Sequence, residues 1–184
     1  MSKVIDELDR DHRNLEALLH VLEHQLEQLR RGGDPDYRLI EEVLDYCTSY
    51  ADQRHHPIED RVYAALERDS GTIGELSRGL HEDHENLAAL TATFHERIED
   101  VLGDGMMPRD ALIELGERFL TDYRNHMRLE ERFLFPAAKK ALSDGDWAAI
   151  GAAYEAIEDP VFGEAGEARF AALRAHIHAL DRIE

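Results

Sequence analysis

Two His-x-x-x-Glu pairs, His55 with Glu59 and His126 with Glu130, carry the clearest chemistry in this chain. On a helix, residues four apart stack on one face, so each pair presents an imidazole and a carboxylate to the same volume and works as a two-toothed chelator. His12 and His84 occupy positions in the apolar seams of two other expected helices. The set has a near two-fold relation, one lone histidine and one His-x-x-x-Glu from each half. It suits two metal ions bridged by Glu59 and Glu130, each ion holding two histidines with room for a bridging oxygen and an exogenous ligand. An ionised glutamate inside an apolar bundle is costly unless paired, and two divalent cations offset that cost. Imidazole and carboxylate admit iron, manganese or zinc, with affinity alone favouring zinc over ferrous iron. A paired, carboxylate-bridged centre with open positions points instead to redox or gas-binding chemistry, hence iron; closed zinc sites usually place four ligands around one ion.

The remaining histidines divide by position. His81, one turn before His84, is a candidate fifth imidazole on one ion, with a role outside the ligand set equally open. His56 follows His55 and is set about 100° away around an α-helix, which predicts an exposed position or one behind the ligands. His20, His24 and His95 are expected on flanks, and His176 and His178, two apart, face different ways. Tyr46, Tyr50 and Tyr123 are expected as core aromatics, any one of which could donate a hydrogen bond to a bound oxygen species.

Four helices must position these groups. Ile5, Leu8, Leu15, Leu19, Leu22, Leu26 and Leu29 recur in a 3,4 alternation whose missing step is His12, predicting a helix from about 2 to 31 ended by Gly32-Gly33. Asp34 is the expected cap of a second helix, with Pro35 at its first position, running to about Arg68 through Leu44, Ala51, Ile58, Val62 and Leu66. A third is expected from about Thr72 to Leu102, with Ile73, Leu80, Leu87, Phe94, Ile98 and Val101 inside. A fourth is expected from Pro108 to about Leu142, with Leu112, Leu115, Phe119, Tyr123, Phe133 and Ala137 inside. Short connections favour an all-α, antiparallel up-down-up-down bundle over residues 1–142. Residues 143–184 read as a C-terminal helical extension, with helices at about 146–157 and 164–183 around Asp159-Pro160. Trp147, Tyr154, Phe162, Phe170, Leu173 and Leu180 are available to cover the bundle or to form a subunit contact, as in a homodimer.

An internal repeat joins the elements to the site. Asp11-His12-Arg13-Asn14-Leu15 returns as Asp83-His84-Glu85-Asn86-Leu87, carrying the histidine from position 12 to position 84. His55-His56-Pro57-Ile58-Glu59-Asp60-Arg61 returns as His126-Met127-Arg128-Leu129-Glu130-Glu131-Arg132, from position 55 to position 126, an offset only one shorter. The first two helices therefore read as a duplicate of the last two, matched at the positions that could ligate metal.

Composition narrows the function classes. Of the 184 residues, 40 are Asp or Glu against 21 Lys or Arg, a formal net charge of −19 that repels phosphate backbones and anionic lipid. Nucleic acid and membrane are thus poor partners. The acidic start Met1 to Glu7 lacks the apolar stretch of a signal peptide, and no apolar run approaches the roughly 20 residues of a membrane span, so the expected location is the cytoplasm. A single cysteine, Cys47, offers neither a disulfide nor a thiolate cluster.

At these residues the chain resembles the hemerythrin-like, or HHE cation-binding, family: His12, then His55, Pro57 and Glu59 within His-His-Pro-Ile-Glu, then His84, then His126 and Glu130 followed by Phe133-Leu134-Phe135-Pro136. The resemblance covers about residues 5–140 and implies a non-haem centre of two iron ions, oxo- or hydroxo-bridged, in a four-helix bundle of the hemerythrin type. In the oxygen-carrying hemerythrins the third helix supplies two histidines four apart, and the last carboxylate is an aspartate five residues after its histidine. Here the spacing is His81-x-x-His84 and the carboxylate is Glu130. What the resemblance then implies is binding or sensing of dioxygen, nitric oxide or peroxide, with any signal or electron passed through a separate partner. The alternatives are a peroxidase-, catalase- or oxidase-like enzyme and an iron-handling protein.

Overall fold

A computed structural model describes residues 3–68, 72–152, 158–164 and 166–180. Helix α1 spans Lys3–Arg30 and buries the whole expected seam, His12 included. It ends where Gly32 takes a φ of 78°, with Gly32 N–H donating to Leu29 O and Gly33 N–H to Gln28 O, the bond pattern of a glycine-terminated helix. The next cap is Asp36 rather than the expected Asp34: its carboxylate accepts from the N–H groups of Arg38 and Leu39, so α2 begins at Tyr37.

The second rod of the bundle has three parts: α2 (Tyr37–Tyr46), a π-helical stretch (Cys47–His55) and α3 (His56–Glu67). Helix α4 (Thr72–Leu102) is the third rod. The fourth is α5 (Arg109–Leu129), a second π-helical stretch (Glu130–Leu134) and α6 (Phe135–Ala141). Each rod packs against the one before it, and α5 also packs on α1, closing an all-α up-down-up-down bundle. Gly116 allows the α5–α1 approach, since a Cβ there would lie 2.6 Å from Leu26 Cδ1.

The π stretches change which residues face inward. In the fourth rod the expected inner residue Phe133 is 44% exposed, while its neighbours Leu134 and Phe135 are buried. The wide turn closes with Phe135 N–H donating to Glu130 O, an i→i−5 bond. Such a turn rotates successive residues by less than an α-helix does, so a strict 3.6 period loses register across it.

Beyond the bundle, α7 (Asp144–Ala152) packs on α3 and α1. A 3-10 turn (Ala168–Phe170) leads into α8 (Ala171–Leu180), which packs on α1 and α2. Phe170 and Leu173 are fully buried in the larger apolar cluster, whereas Phe162 is exposed. Tyr154 falls outside the described residues. The apolar interior is divided into two clusters, a large one around Leu15–Leu29 and Leu87–Ile98 and a smaller one around Val4–Leu8 and Ile58–Leu66. Most of the buried polar groups considered next come from chain segments where one cluster gives way to the other. No described helix is long and apolar enough to cross a membrane.

Candidate metal centre

The structure brings all six principal candidates, His12, His55, Glu59, His84, His126 and Glu130, into one buried layer. His12 Nε2 lies 3.3 Å from both Glu59 Oε1 and Glu130 Oε2, and His55 Nε2 lies 3.2 Å from Glu59 Oε1. On the other side, His84 Nε2 is 3.4 Å from Glu59 Oε2, and His126 Nε2 is 3.3 Å from Glu130 Oε1. Each carboxylate therefore turns one oxygen toward the His12/His55 pair and the other toward the His84/His126 pair.

These spacings fit ions. Two donors about 2.1 Å from one metal and at right angles to each other lie about 3 Å apart, and His84 Nε2 and His126 Nε2 are separated by 3.0 Å. The Oε2 atoms of Glu59 and Glu130 are buried and accept no hydrogen bond, so the carboxylates retain unused lone pairs facing the imidazoles. Buried oxygens of this kind are costly unless a cation or proton meets them.

Outer nitrogens complete the geometry. His12 Nδ1 donates to Glu131 Oε1 at 3.0 Å and His84 Nδ1 to Asp60 Oδ1 at 2.8 Å. His55 Nδ1 is 3.4 Å from Asp11 Oδ2, and His126 Nδ1 is 3.9 Å from Asp83 Oδ2. Once the ring's extra proton is gone, a carboxylate behind an imidazole fixes the ring and leaves the inward nitrogen as a lone pair, the arrangement metal-binding histidines use; His126 Nδ1 alone makes no hydrogen bond. The duplication extends to these groups: Asp11 and Asp83 serve histidines of their own repeat, while Asp60 and Glu131, which occupy equivalent positions in the two repeats, each serve the other one.

Protonation follows from the same contacts. Burial pushes the His126 ring toward neutrality, but Glu130 and Asp83 outweigh it and raise its pKa to about 10. His84 is likewise raised to about 9, against burial, by Asp60 and Glu59. Burial and the nearby Glu59 push the Glu130 carboxyl up, yet His126 and His12 hold it down to about 2. Without cations, protons on the imidazoles neutralise the glutamates, and metal ions entering the layer displace them.

From the sequence, His81 had a ligand role and a role outside the ligand set equally open. His81 is 55% exposed and donates through Nδ1 to Asp60 Oδ1 at 2.8 Å, the same oxygen that accepts from His84. His56, expected outside the ligands or exposed, is only 4% exposed and packs parallel to His84 with ring centroids 4.3 Å apart. Its displacement has a local cause: the wide turn before it, closed by His56 N–H donating to Ala51 O, carries both consecutive histidines to the inside. Burial, opposed by Asp52, lowers the His56 pKa to about 4, so the ring is neutral. Tyr63 was not anticipated; its hydroxyl donates to Glu130 Oε1 and lies 3.4 Å from His84 Nε2. It stands four residues after Glu59, one helical turn on, which is the spacing that could have drawn notice. Tyr46, Tyr50 and Tyr123 are buried, as expected for core aromatics.

Two clefts reach the layer from outside. One of about 530 Å³ is walled by His12, Met127, Arg124 and Glu131, and one of about 360 Å³ by Asp83, Asn86, Asn125 and His126.

A bundle of four antiparallel rods with a buried histidine–glutamate layer defines a class of cation-binding helical proteins. The hemerythrin HHE cation-binding domain model matches residues 3–138, and the chain belongs to that family. Comparison with curated proteins and with solved structures returns no match.

Proposed function

We propose that the chain holds two iron ions, one between His12 and His55 and the other between His84 and His126, bridged by Glu59 and Glu130, and that it binds or senses dioxygen, nitric oxide or peroxide. The observation that carries this reading is the division of each buried carboxylate, one oxygen toward each histidine pair. When bound, the irons supply a change of oxidation state and an open position for a small exogenous ligand. The protein's part is to hold the imidazoles through Glu131, Asp11, Asp60 and Asp83, to exclude bulk water by packing apolar clusters around the layer, and to admit small molecules through the clefts at His12 and His126. Manganese or zinc would fit the same donors.

A second reading is an enzyme with peroxidase-, catalase- or oxidase-like activity, favoured by Tyr63. Its hydroxyl donates a hydrogen bond to Glu130 Oε1, which places a proton where it can be passed to a ligand in the layer or recovered from one. Anaerobic loading with ferrous iron, followed by nitric oxide, dioxygen or peroxide, separates the two. A stable coloured adduct at two irons per chain supports binding or sensing. Many turnovers per chain, reduced in Tyr63→Phe with iron content unchanged, support catalysis. Uptake of fewer than two irons overturns the dinuclear assignment.

A further inference from the structure

We propose that His56 is a fifth imidazole ligand, bound to the ion held by His84 and His126. The inference rests on the dinuclear reading above and adds a donor to it. One donor atom each from His56, Glu59, His84 and His126 lie within 4.8 Å of one another, a set compact enough for a single ion. His12, His55 and Glu59 form a separate compact group that does not include His56.

Three further observations point the same way. His56 Nδ1 lies 3.1 Å from Asp52 Oδ1, so this ring has a carboxylate behind it as the other four do. A proton on Nδ1, the nitrogen on the Asp52 side, leaves the ring a lone pair on Nε2, the form that binds a metal. The ring also lies edge-on to His126 at 5.9 Å between centroids, so it adjoins both imidazoles of that pair. Finally, the duplication stops here: in the second repeat Met127 stands at the place of His56, and Tyr123 at the place of Asp52. Six donors are repeated and this one is not, which makes the two ions unequal. The His84/His126 ion gains a third imidazole. The His12/His55 pair has Met127 at the matching place, lining the cleft beside His12 by which small molecules would reach the ion these two histidines would hold.

The packing alternative is that His56 only fills space between His84 and Tyr123, whose rings lie 4.3 and 6.3 Å away. Anaerobic cobalt(II) titration of the full chain against a competing chelator, read by visible d–d absorption, distinguishes them. The wild type is expected to bind two cobalt ions. His56→Phe, which keeps a ring in the layer, and His56→Ala should both remain helical by circular dichroism. Both should weaken one of the two equivalents by about 10- to 100-fold or more, on the scale seen when metal-supporting groups are removed, and change that equivalent's spectrum. Asp52→Asn should weaken the same equivalent to a smaller degree. Wild-type affinity and spectrum in His56→Phe overturn the proposal, even where His56→Ala binds poorly, because a phenyl ring can pack but cannot ligate. In that case the dinuclear reading stands. A wild type that takes up no second cobalt overturns both.

Discussion

The two halves of the metal layer descend from repeated sequence, yet they are supported differently. Behind His55 lies a sealed ion pair: Asp11 is 1% exposed, and buried Arg54 donates from Nη1 to Asp11 Oδ2 at 3.0 Å and to the Tyr50 hydroxyl oxygen at 2.6 Å. Behind His126 the matching carboxylate, Asp83, is 44% exposed and 3.9 Å away, and Asn125 takes the place that Arg54 holds in the first repeat. The inward donors are alike because they meet at one shared centre, where any drift would disturb both carboxylates. The outward supports are free to diverge, since a ring nitrogen needs only an acceptor, buried or wet. The support behind His55 is therefore a rigid, buried ion pair, and the one behind His126 is left open to solvent.

The comparison breaks most directly at the inner donors. His55→Ala and His126→Ala should each remove at least one of the two metal equivalents, measured by elemental analysis; retention of both metals in both variants contradicts the assignment of these ligands. Next in size is Arg54→Ala, which leaves the buried Asp11 charge with His55 and, 3.8 Å away, Arg10, and should lower the unfolding free energy by about 2–3 kcal/mol in denaturant titrations. A loss under about 1 kcal/mol there would mean that water reaches Asp11 and that the support behind His55 is no more sealed than the one behind His126. Glu131→Gln and Asp60→Asn remove supports that cross between repeats, and each should weaken metal binding by about 10- to 100-fold in chelator competition. Asp83→Ala is the smallest change, within about 1 kcal/mol of wild-type stability, because its contact is long and solvated.

Acidity offers a test across both halves of the metal-free protein. His84 and His126 have folded pKa values raised to about 9 and about 10, so their stabilising effect is complete below the ordinary histidine value of about 6.5 and is lost as pH rises through those figures. Glu130, lowered to about 2, contributes above the ordinary carboxylate range and loses its effect as pH falls toward that value. Thermal melts of the metal-free chain should accordingly peak between about pH 5 and 6.5, with a decline on the alkaline side that bound metal suppresses. A flat alkaline limb would show that the imidazoles are not protonated partners of the glutamates.

Much of this architecture was legible in the chain itself. The seam of α1, with His12 standing where a leucine would fall, follows the helical period because α1 is an uninterrupted α-helix from Lys3 to Arg30. His55 with Glu59 and His126 with Glu130 share faces as their spacing predicts, because each pair straddles only the edge of a wide segment, where four residues is still close to one turn. Periodicity failed at Phe133 and His56, both beside π-helical turns, where one additional residue per turn moves the next side chain onto another face. Tyr63 was missed because a tyrosine on an apolar face is ordinarily core, and only the approach of Glu130 from another rod gives its hydroxyl a use.

The amino-acid sequence alone determined that this is a duplicated helical chain carrying four imidazoles and two carboxylates on inward faces, because helical period and repeat offset are local properties of a polymer. Only the tertiary structure decided which carboxylate stands behind which ring, and that His56 rather than His81 enters the layer. Those outcomes depend on wide turns and on contacts between rods far apart along the chain, such as His84 with Asp60 and His12 with Glu131, which no local pattern encodes.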